Sequence, residues 1–507
     1  MGKEITLSSV NKYLKKFKSD PQARISMNAA TRTDVRRVAM NWESFREIDH
    51  TFSNKVTGEM KATSQKRSGR CWGFAGLNLL RIYLGRKYKI KDFEFSQNYF
   101  MFYDKLEKAN YFLENIIETS DKSTDSRLIM HLLDSPIQDG GQWDMFVNLL
   151  MKYGTVPKKV MAESYHSSNS AQMNKLITRK LREFAKDLRV AISNGKSKSQ
   201  VSKMKDEMLS EIYQMLCISL GTPPETFDWS IRDKKDKFHR YTDLTPQTFF
   251  KKHVDIDLND FVCLINDPRP FTDYNKTYTV DYLGNVYGGN AIRYLNLKNE
   301  ELKKYTIKSI KADDPVWFGC DVGKFFTRQF GVMDTSLFEF DKFYGTSFGM
   351  SKSERLEYGD SVMTHAMLFT GVDLKNNKPV KWRVENSWGP DHGEKGFDIM
   401  TDPWFDQFMY EVVIHKKHLT KKLIDLYRKT IYVSRLTSVG NKKLRIFLSV
   451  ILSNAAVALD ILIIVTFSTL LTDEITYSNE IIVDLITFLS NSLLTLPLLV
   501  IFRFLFL

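Results

Sequence analysis

Residues 64–80 read SQKRSGRCWGFAGLNLL, and this run decides the reading of the whole chain. Ser68 and Gly69 close a loop. From Cys71 onward an apolar-periodic helix begins. Cys71 therefore stands at a helix N-terminus, where unpaired N–H groups favour a thiolate over a thiol. Lys66, Arg67 and Arg70 push in the same direction. Gln65 lies upstream with a side-chain amide that can donate to a developing oxyanion, and the backbone N–H of Cys71 can be the second donor. An isolated cysteine is ordinarily an apolar filler. Gln, Gly and Cys followed by Trp at a helix start point instead to a thiol nucleophile.

A nucleophilic thiol needs a base, and the base needs a group that fixes its tautomer. His365 lies in GDSVMTHAMLFTGVD and Asn386 in KPVKWRVENSWG. Each segment has the β-branched and aromatic content of a strand. The midpoint of positions 365 and 386 is 375.5, inside the turn DLKNNKP. A symmetric hairpin would make the two residues cross-strand neighbours. Trp388 follows closely and is expected to cover the His–Asn contact. A third cluster, DGGQWDMF at 139–146, holds Gly140 and Gly141. Without side chains there, a backbone can approach closely and pair with an extended substrate. A simple turn is the alternative reading.

The 507 residues, 43% hydrophobic and 26% charged, suffice for a sizeable globular body. The formal charge of +13 is not gathered into a dense basic stripe, and no nucleic-acid motif accompanies it. The four cysteines, Cys71, Cys217, Cys263 and Cys320, have neither disulfide-framework nor zinc-site spacing, which points to a reducing, cytoplasmic setting. Nothing in the sequence calls for a metal or an organic cofactor.

Along the chain, residues 1–60 read as a polar arm and 61–165 as a helical lobe carrying the nucleophile. Residues 166–250 read as a helical insertion, from segments such as NKLITRKLREFAKDLRVAIS and KMKDEMLSEIYQML. Residues 251–425 read as a strand-rich lobe with His365 and Asn386. The fold expected is α+β, with two lobes. Residues 440–507 differ in kind. Positions 446–472 carry only one charge, Asp460, and 485–502 carry none. Lys442, Lys443, Arg445 and Arg503 flank these runs, so a transmembrane helical hairpin with both ends cytoplasmic is expected. A pair of buried soluble helices is the alternative.

QKRSGRCWGFAG, FSQNYFMFYDKLEKANYFLENII, DGGQWDMFVNLLMKYGTVPK, LNDFVCLINDPRP, THAMLFTGVD and RVENSWG together resemble the bleomycin hydrolase family. This family is the cytosolic branch of papain-like cysteine peptidases that includes aminopeptidase C. The resemblance covers roughly residues 1–425. It implies Cys71, His365 and Asn386 as catalytic residues, Gln65 at the oxyanion, and a papain-like fold. It also implies a hexameric barrel and a broad aminopeptidase activity, in which a C-terminal carboxylate holds the substrate amine. The sequence departs from the family after EVVIHKKHLTKKLIDLY, where the hydrophobic runs replace the short closing arm. Exopeptidase positioning and the closed hexamer are therefore open on this reading. A membrane anchor and an altered or fused reading frame are its two explanations.

Overall fold

In the computed structural model, the described residues are 2–46, 48–429 and 431–433. Residues Met1–Arg435 form one compact unit, so the arm, lobes and insertion are parts of a single body. The expected hairpin at 446–507 lies outside the described residues. Among the described residues, no helix is long and apolar enough to cross a membrane.

The body is built on a long mixed sheet. Its central strands lie in the order Phe261–Ile265, Met409–His415, Val316–Cys320, His365–Lys375, Lys378–Glu385 and Phe397–Thr401. Each neighbouring pair among these six is antiparallel. Val316–Cys320 is buried at every position, as expected for a strand covered on both faces. The Cys71–Tyr88 helix packs on this sheet. Fourteen of its residues, from Cys71 to Gly85, are buried, so it is a core helix rather than an amphipathic one. The helices Gln97–Glu118 and Trp143–Tyr153 complete this half.

A second core lies under the insertion. Ala171–Ser193 buries Met173, Ile177, Leu181, Phe184 and Leu188, which share one face at helical spacing. Lys198–Leu220 starts with a Ser197–Gln200 capping box and buries Val201, Met208, Ile212 and Leu216. Both stripes pack against Phe102, Phe112, Leu113 and Ile116 of Gln97–Glu118. Residues 166–250 are not helical throughout. Phe227–Arg232 and Phe238–Leu244 form a two-stranded antiparallel hairpin. Trp229 and Tyr241 stack across it, and such aromatic cross-strand pairs stabilise a ribbon where the helical period ends.

The N-terminal arm carries the Leu7–Lys18 helix, none of whose residues is buried. The segment after it does engage the body: Asn54–Lys55 pairs with Val372 and Gly371 of the histidine strand.

Away from the candidate site, Asp144 and Glu411 are buried, and the Asp144 charge adds to the burial that raises Glu411. Burial pushes Asp144 up to about 7 and Glu411 to about 8. The folded state then holds protons that the unfolded chain releases near pH 4.5. Stability is therefore full below that pH and is lost as pH rises toward 8. Glu411→Gln is expected to flatten this loss and to add about 2–4 kcal/mol at pH 8. Urea unfolding at pH 5 and pH 8 checks it; equal gains at both pH values would contradict it.

Candidate active site

Cys71 is the first residue of its helix, and no side chain caps the N-terminus. His365 is the first residue of its strand, and Asn386 follows the end of the next strand. All three are buried. His365 Nε2–H donates to Asn386 Oδ1 at 3.0 Å. An amide oxygen can only accept, so this bond sets the tautomer and leaves Nδ1 as the ring nitrogen for the Cys71 thiol. Trp388 lies over the imidazole with ring centroids 4.9 Å apart.

The hairpin register differs in detail from the symmetric one. Asn376 and Asn377 both have positive φ, 53° and 61°, as a tight two-residue turn requires. The strands therefore pair Lys375 with Lys378 and Leu368 with Glu385. Continued outward, this register sets His365 opposite Trp388. Asn386 reaches the imidazole diagonally, after pairing with the adjacent strand has ended.

The thiol and the imidazole polarise each other. Burial alone would push the Cys71 thiol up. The charge and hydrogen bond of His365, with backbone N–H groups of Ala366 and Trp72, outweigh it and hold the thiol below its ordinary value. Burial would likewise lower His365, but Cys71, Asn386 and the Asp398 charge raise it. The thiolate–imidazolium form is the one this geometry favours.

Arg70 does not act as the sequence suggested. It forms a two-pronged pair with Glu163, at 3.0 and 2.7 Å, so its charge is already matched. Lys66 and Arg67 are exposed, and the charge that lowers the thiol comes from His365. Gln65 is fixed more firmly than its position in a loop implies. Its N–H donates to Ser387 O at 2.8 Å, and its Oε1 accepts from Ser387 Oγ at 2.6 Å. Gly389 N–H donates to Thr63 O, so the Gln65 strap is laced to the Asn386 segment. Gln65 Nε2 donates one hydrogen to Ser68 O, leaving its second for another acceptor.

Gly141 lies against the nucleophile's neighbour: a Cβ there would come within 2.5 Å of the Trp72 ring. Glycine is required at this position by packing. Trp72 Nε1–H also donates to Asp139 O at 2.7 Å. Asp139 in turn accepts from Gly69 N–H and from Lys105, and so holds the loop that precedes Cys71. At Gly140 a Cβ would meet only Gln138 Oε1, at an ordinary contact distance of 3.9 Å.

Several supporting residues escaped the sequence reading. Ser387 was inside a quoted motif. Asp398, a charge in the apolar run GFDIM, was a visible anomaly. Glu163 carried no signal, because its partner is fixed only by tertiary structure.

The model of the Peptidase C1-like family matches residues 4–436. The chain belongs to that family. Aminopeptidase C of Listeria innocua is 44% identical over 427 residues, covering 84% of this chain and 96% of that one. Bleomycin hydrolase of Mus musculus is 44% identical over 424 residues, covering 82% and 93%. The crystal structure of PepW from Lactobacillus rhamnosis superposes with a TM-score of 0.83 at 45% identity, covering 85% of this chain and 98% of that one. This member of the Peptidase C1-like family is a cysteine-type peptidase with the papain-like fold. Among the described residues, no group of His, Cys, Asp and Glu is arranged to hold a metal.

Proposed function

We propose that this chain is a thiol aminopeptidase that removes N-terminal residues from peptides of varied sequence. The observation that carries the reading is the His365 Nε2–H bond to Asn386, which leaves Nδ1 to Cys71. His365 takes the Cys71 proton. The thiolate attacks the peptide carbonyl carbon, and the oxyanion accepts from the Cys71 N–H and the free hydrogen of Gln65 Nε2. The C–N bond then breaks, His365 gives its proton to the leaving amine, and water hydrolyses the thioester. Gly140 and Gly141 offer a side-chain-free edge for the extended substrate, and Trp388 keeps water from the His365–Asn386 bond. The exopeptidase part is supported by the relatives named Aminopeptidase C. A cytoplasmic homo-hexamer is part of the same proposal.

An endopeptidase is the second reading, favoured by the hydrophobic runs 446–472, with Asp460 its one charge, and 485–502, which is uncharged, where a short polar arm would be needed. The test compares a fluorogenic peptide bearing a free amine with its acetylated form, using Cys71→Ala as the blank. Cleavage of the free form alone is expected. Equal cleavage of both would replace the aminopeptidase with an endopeptidase. Cleavage of neither, with Cys71 still reactive to iodoacetamide, would leave a non-catalytic scaffold.

A further inference from the structure

Asp398 is a charged residue within the apolar strand Phe397–Thr401, and it is 0% exposed. Its Oδ2 accepts from Asn386 Nδ2–H at 2.8 Å. The opposite end of the same amide, Oδ1, accepts from His365 Nε2–H at 3.0 Å and from Ser387 N–H at 2.8 Å. Asn386 is thus clamped from both sides, and only one orientation of its amide satisfies all three bonds. The second carboxylate oxygen, Oδ1, has no hydrogen bond among the described residues. Gly331 and Gly393 crowd that oxygen: a Cβ on either would come within 2.6 or 2.9 Å of it. The titratable groups that face this charge are His392, at 3.4 Å, and His50, His365 and Cys320, whose titration it affects.

A buried carboxylate with an unbonded oxygen is costly unless a cation lies nearby to compensate. Two imidazoles lie within reach of this carboxylate: His392, 3.4 Å from Oδ1, and His365, linked to Oδ2 through the Asn386 amide. We propose that Asp398 is a positioning residue of the peptidase reaction, which locks the Asn386 amide with its oxygen toward His365 and supports the imidazolium through that amide. The inference rests on the Cys71–His365–Asn386 reading of the site. The chain Asp398–Asn386–His365 polarises in one direction: the carboxylate draws on the amide N–H, and the amide oxygen then accepts more strongly from Nε2–H.

Asp398→Asn keeps the size and an acceptor for Asn386 but removes the charge. The pH profiles of kcat/KM and of Cys71 alkylation by iodoacetamide are compared with those of the parent chain. Without the negative charge, both the thiol and the imidazolium lose protons at lower pH. The basic limb is expected to move to lower pH by about 0.5–1 unit, and the acid limb by less, because His365 is the nearer group. A merely structural role would depress the plateau and leave both limbs in place, and that result would overturn the proposal. Should Asp398→Asn fail to fold, Asp398→Ser is read in the same way; failure of both to fold would also overturn it, in favour of a folding role. A parent chain whose Cys71 lacks fast alkylation at acid pH would instead overturn the Cys–His–Asn reading itself.

Discussion

His365→Ala is expected to lower kcat/KM by about 10³–10⁴-fold, with little change in folding stability. In the proposed mechanism the imidazole is both the base that takes the thiol proton and the acid that serves the leaving amine, so its loss removes two steps at once. It also supplies the charge that holds the Cys71 thiol down. Alkylation of Cys71 at pH 6 should therefore slow toward the rate of an ordinary buried thiol. The two readouts belong together. A variant that loses turnover but keeps fast alkylation would mean that the helix N-terminus alone activates Cys71, and that the ion-pair account is wrong.

Arg81→Met should cost about 3–5 kcal/mol of stability, the largest such effect foreseen away from the nucleophile. Arg81 lies on the nucleophile helix and Glu385 immediately precedes Asn386. Their side chains are 1% and 0% exposed and meet at 2.5 Å. Burial pushes the Glu385 carboxyl up, and only Arg81 and, more weakly, Arg383 pull it back. Removing Arg81 leaves a carboxyl in the core with no matched partner, and also frees Lys61 O, which Arg81 holds at 2.8 Å. Because the pair ties the helix bearing Cys71 to the strand bearing Asn386, activity should fall with stability. The double variant Arg81→Met with Glu385→Leu removes both charges and is expected to recover most of the loss. Chemical denaturation of the parent, single and double variants measures this cycle. A double variant no more stable than the single would show that the cost came from cavity formation and not from the stranded carboxyl.

The local parts of the candidate site were legible because they depend on short-range rules. A loop ending in Ser68 and Gly69, an apolar helix from Cys71 and two strands about a tight turn are each written within a few residues. The helical stripes of Ala171–Ser193 and Lys198–Leu220 were legible for the same reason. The hairpin at Phe227–Leu244 was not: it lies among Lys- and Asp-rich residues, and its stability comes from Trp229 and Tyr241 stacking across the ribbon.

The sequence by itself picked out Cys71, His365 and Asn386 as candidates and an α+β fold, because helix starts, periodicity and turn chemistry act over a few residues. It did not determine which charges cancel. Arg70 reads as a cation beside Cys71, yet Glu163, distant in the chain, neutralises it. Asp398 lies in none of the motifs quoted from the sequence, yet it closes on Asn386. Only the tertiary structure decides such pairings. In a buried, low-dielectric site the energy of a charge depends on the few groups within hydrogen-bonding reach, and sequence separation carries no record of that distance.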